Sequence, residues 1–189
     1  MPEFVYHIKP ANFKGTSILP LSQLEEEYPA IYKREVAKYG KARMKELDEP
    51  IKSLKCKWRD VVNLSTVNPV NILSVAELLG NDTDPATIWK IPVSRLKGLD
   101  FVLWTDPKDR DKYQPMTISE YRECTTIPEG TIEHFLKSSK GDKKPLVFEH
   151  IPHILVAGAV DISGAETIKY SPKNLFSLAS SYCQIANQF

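Results

Sequence analysis

The chain has no motif that announces a reaction. There is no GxSxG elbow, no P-loop, no HExxH and no GxGxxG in its 189 residues, which takes support from the common hydrolases, nucleotide kinases and dinucleotide-fingerprint enzymes. Its three cysteines, Cys56, Cys124 and Cys183, stand far apart with no CxxC pair. They read as small core residues of a reducing compartment rather than as zinc ligands or a redox couple. Long apolar runs are missing too: nowhere do roughly 18 apolar residues stand together, so no membrane span is expected. The start, "MPEFVYHIKP", has no basic region followed by an apolar stretch, and the expected location is the cytoplasm. Charge of one sign is also lacking, since the formal net charge is +1, which argues against a globally basic nucleic-acid binder. No internal repeat and no low-complexity segment occurs.

What is present is an ordinary globular composition, 42% hydrophobic and 26% charged, in a chain of the right length for a single domain, residues 1 to 189, with its own core. Phe4 to Ile8, "FVYHI", is a β-rich run ended by Lys9 and Pro10. Ser22 and Glu25 have capping-box spacing, and Pro29 suits the first position of a second helical segment. In "LKCKWRDVVNLS", Leu54, Cys56 and Trp58 alternate with Lys55, Lys57 and Arg59, which predicts a half-buried strand with a positive face. Asn68 and Pro69 cap and open a helix that stops at Gly80. "TIWKIPV" and "DFVLWT" read as strands, and the charged stretch 106–114 as a loop. Helices are expected around Ile118 to Cys124 and Thr131 to Lys137, then strands over Leu146 to Val156 and Val160 to Ile168. The last segment places Leu175, Leu178, Tyr182, Ile185 and Phe189 on one helical face. Strands early, middle and late, with helices at irregular spacing, predict an α+β domain with a mixed or antiparallel sheet and flanking helices.

Two features could carry chemistry. The first is local charge: the window from Lys33 to Arg59 holds ten Lys or Arg against four Asp or Glu, so Lys55, Lys57 and Arg59 are candidate nucleic-acid contacts on a basic face. Such a face also serves simply to keep a neutral protein soluble. The second is "EHIPH", Glu149 to His153, where two of the four histidines stand beside a carboxylate. Histidine titrates near neutrality and is a frequent metal ligand. Two histidines fall short of the three or four ligands a zinc site uses, so no metal is expected. Pro152 predicts an edge or a break in that strand.

In their order along the chain, a first strand with "YHI", a hydrophobic strand running into "DVVNLSTVNPVNIL" and a late strand "HILVAGAVDISGAETI" resemble the ADP-ribosyltransferase-like fold. The nearest look is to its DNA-targeting toxins. The resemblance implies an NAD pocket with Tyr6 and His7 on the first strand and Ser65 to Asn68 in the polar loop, Ser65 and Asn68 among the contacts. It also implies a catalytic carboxylate on the late strand, but there the family pattern falls on "PHILV", so His153 stands where a Glu is expected. An imidazole cannot supply the negative charge that steadies an oxocarbenium-like ribose. Either Glu149 takes the part, or the domain binds without transferring. Three readings follow: an NAD-dependent transferase using His7 and Glu149, with a nucleic acid or protein as acceptor; a non-catalytic module docking nucleic acid or an acidic partner through residues 33–59; and an acid–base nuclease built on His7, His150 and His153.

Overall fold

A computed structural model describes residues 3–11, 13–105, 124–139 and 144–173. The chain forms an α+β fold around a six-stranded antiparallel sheet. Its strands are β1 (Phe4–Ile8), β5 (Val61–Ser65), β6 (Ala86–Pro92), β7 (Phe101–Trp104), β8 (His153–Ala157) and β10 (Glu166–Tyr170), in the order β10-β6-β1-β5-β8-β7. Short two-residue strands, β2 (Ser17–Ile18) with β9 (Val160–Asp161) and β3 (Pro50–Ile51) with β4 (Cys56–Lys57), form two further ladders. The helices that bear on the site are α1 (Leu21–Glu27), α2 (Pro29–Ala37), α4 (Pro69–Leu78) and α5 (Glu129–Ser138), with a single turn α3 (Gly40–Arg43) after α2.

The sheet is two well-registered halves joined at one point. β6 pairs with β1 from Phe4 opposite Pro92 to Ile8 opposite Ile88, and with β10 from Glu166 opposite Lys90 to Tyr170 opposite Ala86. β8 pairs along the whole of β5 and β7. Between the halves, β1 and β5 share one register pair, Tyr6 opposite Ser65. Beyond it, towards His7 and Asn63, the two strands separate.

Both faces of the sheet are covered. Val5, Val62, Leu64, Trp89, Ile91, Ile154 and Val156 form one core with Ile18 and Val160 of the small β2–β9 ladder. The alternate residues Val61, Val102 and Leu155 pack under Trp58, Leu47 and Ile51, with Val36 and Tyr39 against them. Ile88 and Tyr170 pack on Leu73 of α4. Burial on both sides is why "VVNLS" and "HILVA" are nearly continuous apolar runs rather than alternating ones.

Local signals explain several boundaries. Asn68 is the N-cap of α4, its Oδ1 accepting from Val70 N–H at 3.0 Å, with Pro69 behind it in the first turn. Pro29 opens α2 as expected. Ser22 and Glu25 make no capping box: the residue before α1 is Pro20, with no side-chain cap. The strand expected over residues 54–59 is broken by 3-10 turns at Lys52–Leu54 and Trp58–Asp60, and only Cys56–Lys57 is extended. Lys55 sits in the left-handed region at φ 52°, a conformation a strand residue cannot hold. The strand expected from Leu146 starts instead at His153, because residues 147–150 form a turn and His150 has φ 61°. Val160 to Ile168 is likewise two strands, β9 and β10, split at a turn where Asp161 accepts from Ser163 N–H at 2.9 Å. The loop 106–114, most of the helix expected near 118–124 and the helical face from Leu175 to Phe189 lie outside the described residues.

Candidate functional site

Where β1 and β5 part, a cavity of about 650 Å³ opens. One wall is the end of β1 with Trp89 of β6 behind it, the floor is Val61, Val62 and Asn63 of β5, and the roof is the α1–α2 pair with the loop from Pro10 to Pro20. The roof is held in place by its own core. Tyr39 accepts a hydrogen bond from Trp58 Nε1–H at 3.2 Å, and Trp58 meets Trp104 edge-on with ring centres 5.0 Å apart. Burial raises the Tyr39 phenol above its ordinary range, so it stays protonated. Opposite, Phe13 stands edge-on to Trp89 at 4.5 Å. The cavity is thus walled by aromatic rings on two sides, the kind of surface that takes a planar ligand.

Its charged residues are grouped. Arg34 and Lys38 both pair with Glu35, one carboxylate between two cations. Lys14 and Glu27 also line the opening. The cations outnumber the acids there by one, leaving a mildly positive rim.

At the parting of the strands His7 lines the cavity from β1 and Asn63 from β5, on opposite faces of the sheet, because Tyr6 pairs with Ser65 and His7 therefore falls in step with Leu64. His7 Nδ1 lies 2.7 Å from the Ile8 carbonyl. A carbonyl only accepts, so Nδ1 carries the hydrogen and Nε2 the lone pair. Burial lowers the basicity of the ring, which keeps it neutral at neutral pH. Asn63 Oδ1 is buried and has no hydrogen-bond partner, an unusual state for a native polar atom.

His153 lies in a different place. Tyr6, Ser65, His153 and Trp104 follow one another across four neighbouring strands, one residue out of step with His7, and Lys90 and Glu166 extend the same row to the far edge of the sheet. The His153 ring stands between Trp104 and Phe148, at 6.0 and 5.8 Å. Burial lowers its pKa to about 4, and the nearby His7 acts in the same direction. Its Nδ1 and the neighbouring Trp104 Nε1 are both buried without a partner.

Of the residues expected to contact NAD, His7 lines the cavity, whereas Tyr6, Ser65 and Asn68 do not. Tyr6 packs towards Ile88 and Leu73. Ser65 donates to the Val67 carbonyl at 2.7 Å, and Asn68 is occupied in capping α4. Glu149 and His153 are also outside the lining. Glu149 sits in the 147–150 turn, 3.9 Å from the His150 ring, and its carbonyl accepts from Thr131 Oγ1–H at 2.8 Å. Of the three histidines of the nuclease reading, His7 lines the cavity and lies near enough to His153 to lower its basicity, while His150 stands beside Glu149 in the 147–150 turn.

The basic face is partly neutralised within the fold. Lys57 pairs with Asp48 at 3.0 Å, and Arg59 with Glu25 and, at 3.9 Å, with Asp48. The Lys57 ammonium holds the Asp48 carboxyl below its usual range. Lys55 is exposed at the left-handed corner between them.

Sequence reasoning missed Asn63 and the α1–α2 roof. The signal for Asn63 was there: it is the one amide inside "VVNLS", where every other position up to Leu64 is aliphatic. Among the described residues no group of three or more His, Cys, Asp or Glu is placed to hold a metal ion, and no helix is long and apolar enough to cross a membrane. No family model matches this chain, and comparison with curated proteins and with solved structures finds no match.

Proposed function

We propose that this chain is an ADP-ribosyltransferase-like protein that binds NAD in the cavity between β1, β5 and the α1–α2 pair. One observation carries the reading. The three segments behind the resemblance, far apart in sequence, begin on the adjacent strands β1, β5 and β8, although the third runs on through β9 into β10 at the far edge of the sheet, and the cavity opens where the first two part, with His7 in its wall.

The residues present fit such a ligand. A space of about 650 Å³ is within the range of cofactor sites. Trp89 and Tyr39 offer faces and edges to planar rings, and Arg34, Lys38 and Lys14 offer cations to a pyrophosphate. NAD would supply the ADP-ribosyl group. The neutral His7 ring presents an acceptor to a ribose hydroxyl. Glu149 is the carboxylate assigned to transfer, onto a protein or nucleic-acid acceptor, and it acts from outside the cavity lining, so it contributes to turnover and not to NAD affinity.

Calorimetric titration with NAD tests this, on the wild type, His7→Ala and Glu149→Gln, each checked for an intact melting transition. Binding that His7→Ala removes and Glu149→Gln keeps supports the reading. A flat wild-type trace overturns it.

A further inference from the structure

Arg34, Glu35 and Lys38 form a closed triplet in the roof of the cavity. Arg34 and Glu35 belong to α2, Lys38 caps its C-terminal end, and all three line the cavity. Arg34 Nε–H donates to Glu35 Oε1 at 3.2 Å and the Lys38 ammonium donates to Oε2, so each carboxylate oxygen takes one cation. The carboxylate lies deeper than the cations it holds: its side chain is 20% exposed, against 49% for Arg34 and 65% for Lys38. Its charge acts inside the cavity. Burial is the main cause of the low basicity of the His7 ring, and against that burial the Glu35 carboxylate favours the protonated ring. Glu35 also acts on the buried Tyr39 phenol.

Ion pairs this exposed are weak, each worth less than about a factor of five in an equilibrium constant, so what occupies the two cations can be exchanged. A carboxylate on a ligand has no advantage over Glu35, which is tethered beside the cations and therefore present at high effective concentration. A phosphoryl group has one. It carries oxygens on a single atom, as the carboxylate does, but more of them, and it makes strong charge-assisted hydrogen bonds to guanidinium and ammonium alike. We propose that Arg34 and Lys38 are an anion subsite for a phosphoryl or diphosphate group and that Glu35 is its built-in competitor, holding the two cations until the ligand takes them. The diphosphate of NAD is one source of that group and free diphosphate is another. For NAD the inference rests on the reading above, whereas the subsite itself rests on the ion pairs.

The test is calorimetric titration of the full chain with inorganic pyrophosphate and, separately, with NAD, at low salt, for the wild type, Glu35→Gln, Lys38→Gln and Glu133→Gln. Glu133→Gln removes the same charge from α5, where Glu133 pairs with Lys137, and so controls for overall charge. Glu35→Gln keeps an amide oxygen for one of the cations, and Glu35→Ala repeats the experiment without it. Both Glu35 variants should bind pyrophosphate roughly 3- to 10-fold more tightly than the wild type. Glu133→Gln should stay within about twofold of the wild type, and Lys38→Gln should bind about tenfold more weakly or worse. Glu35 variants that bind pyrophosphate no more tightly, an equal gain in Glu133→Gln, or pyrophosphate bound by none of the proteins overturns the proposal. Tighter pyrophosphate binding with no NAD binding in any protein keeps the subsite and removes the NAD reading. NAD binding whose affinity is indifferent to Glu35 and Lys38 removes the subsite and keeps that reading.

Discussion

His153 gives the fold a built-in sensitivity to acid, and its size can be worked out. In the unfolded chain the imidazole titrates near 6.5; in the folded protein, closed in between Trp104 and Phe148, it titrates at about 4. Above pH 6.5 the group is neutral in both states and adds no pH dependence. As pH falls from there towards 4, the unfolded chain takes up a proton that the folded protein refuses, so stability is lost across that window and levels off below it. At about 1.36 kcal/mol per pH unit, the full loss is about 3 kcal/mol, and about 2 kcal/mol of it is gone by pH 5. For a chain of this length that corresponds to a fall in melting temperature of roughly 4 to 8 °C. His7, whose basicity is also lowered by burial, adds to the loss in the same direction, so the informative quantity is a difference between proteins. Urea unfolding of the wild type and of His153→Gln at pH 7.5 and pH 5 isolates it: the wild type should lose about 2 kcal/mol more than the variant over that interval. Equal losses would mean that His153 is hydrated or partnered in solution, and the argument from its burial would be refuted.

Other perturbations probe the parts that position the cavity. Asn68→Ala removes the side-chain cap at the start of α4 and should cost about 1 kcal/mol by urea unfolding. Ile154→Ala empties a fully buried position in the middle of β8, facing the same core as Leu64 and Val62, and should cost about 2–5 kcal/mol. Gly130→Ala puts a Cβ 3.3 Å from the His150 ring, so the 147–150 turn must shift, which proton spectra of His150 would register. Lys57→Ala should change the urea midpoint little, within about 1 kcal/mol, because its partner Asp48 is solvent-exposed.

What could be read from the sequence was whatever local chemistry decides. The first strand, "FVYHI", and the helix behind Asn68 and Pro69 are where expected, because a β-rich run stopped by proline and a cap followed by proline are settled within a few residues. The failures share a cause. Leu54 to Arg59 kept its alternation in burial, with Trp58 inside and Lys55 and Lys57 outside, yet its backbone turns twice to deliver Trp58 under β5 and β8. Periodicity reports which side chains are inside and not how the chain gets there. In the same way Pro152 warned of a break after "EH", but the left-handed His150 that makes it, packed against Gly130 of α5, is a tertiary contact. Strand pairing was wholly out of reach, and with it the cavity, which exists only because β1 and β5 touch at one pair.

What a carboxylate at the position of His153, at the head of β8, would meet follows from the row it occupies. Ser65 and Trp104 are its cross-strand neighbours, Phe148 closes its outer side, and its ring is neutral. An ionised carboxylate in the same place would lose its hydration between Trp104 and Phe148, and His7, whose field reaches this position, is itself kept neutral by burial. So His153→Glu would either raise the new carboxyl's pKa until it is protonated at neutral pH or destabilise the sheet by several kcal/mol. In neither case does the row gain the fixed negative charge that ADP-ribosyl transfer requires. On the NAD-transfer reading the charge comes from outside this row, and Glu149, held in the 147–150 turn four residues before His153, is the solvent-facing carboxylate of this stretch.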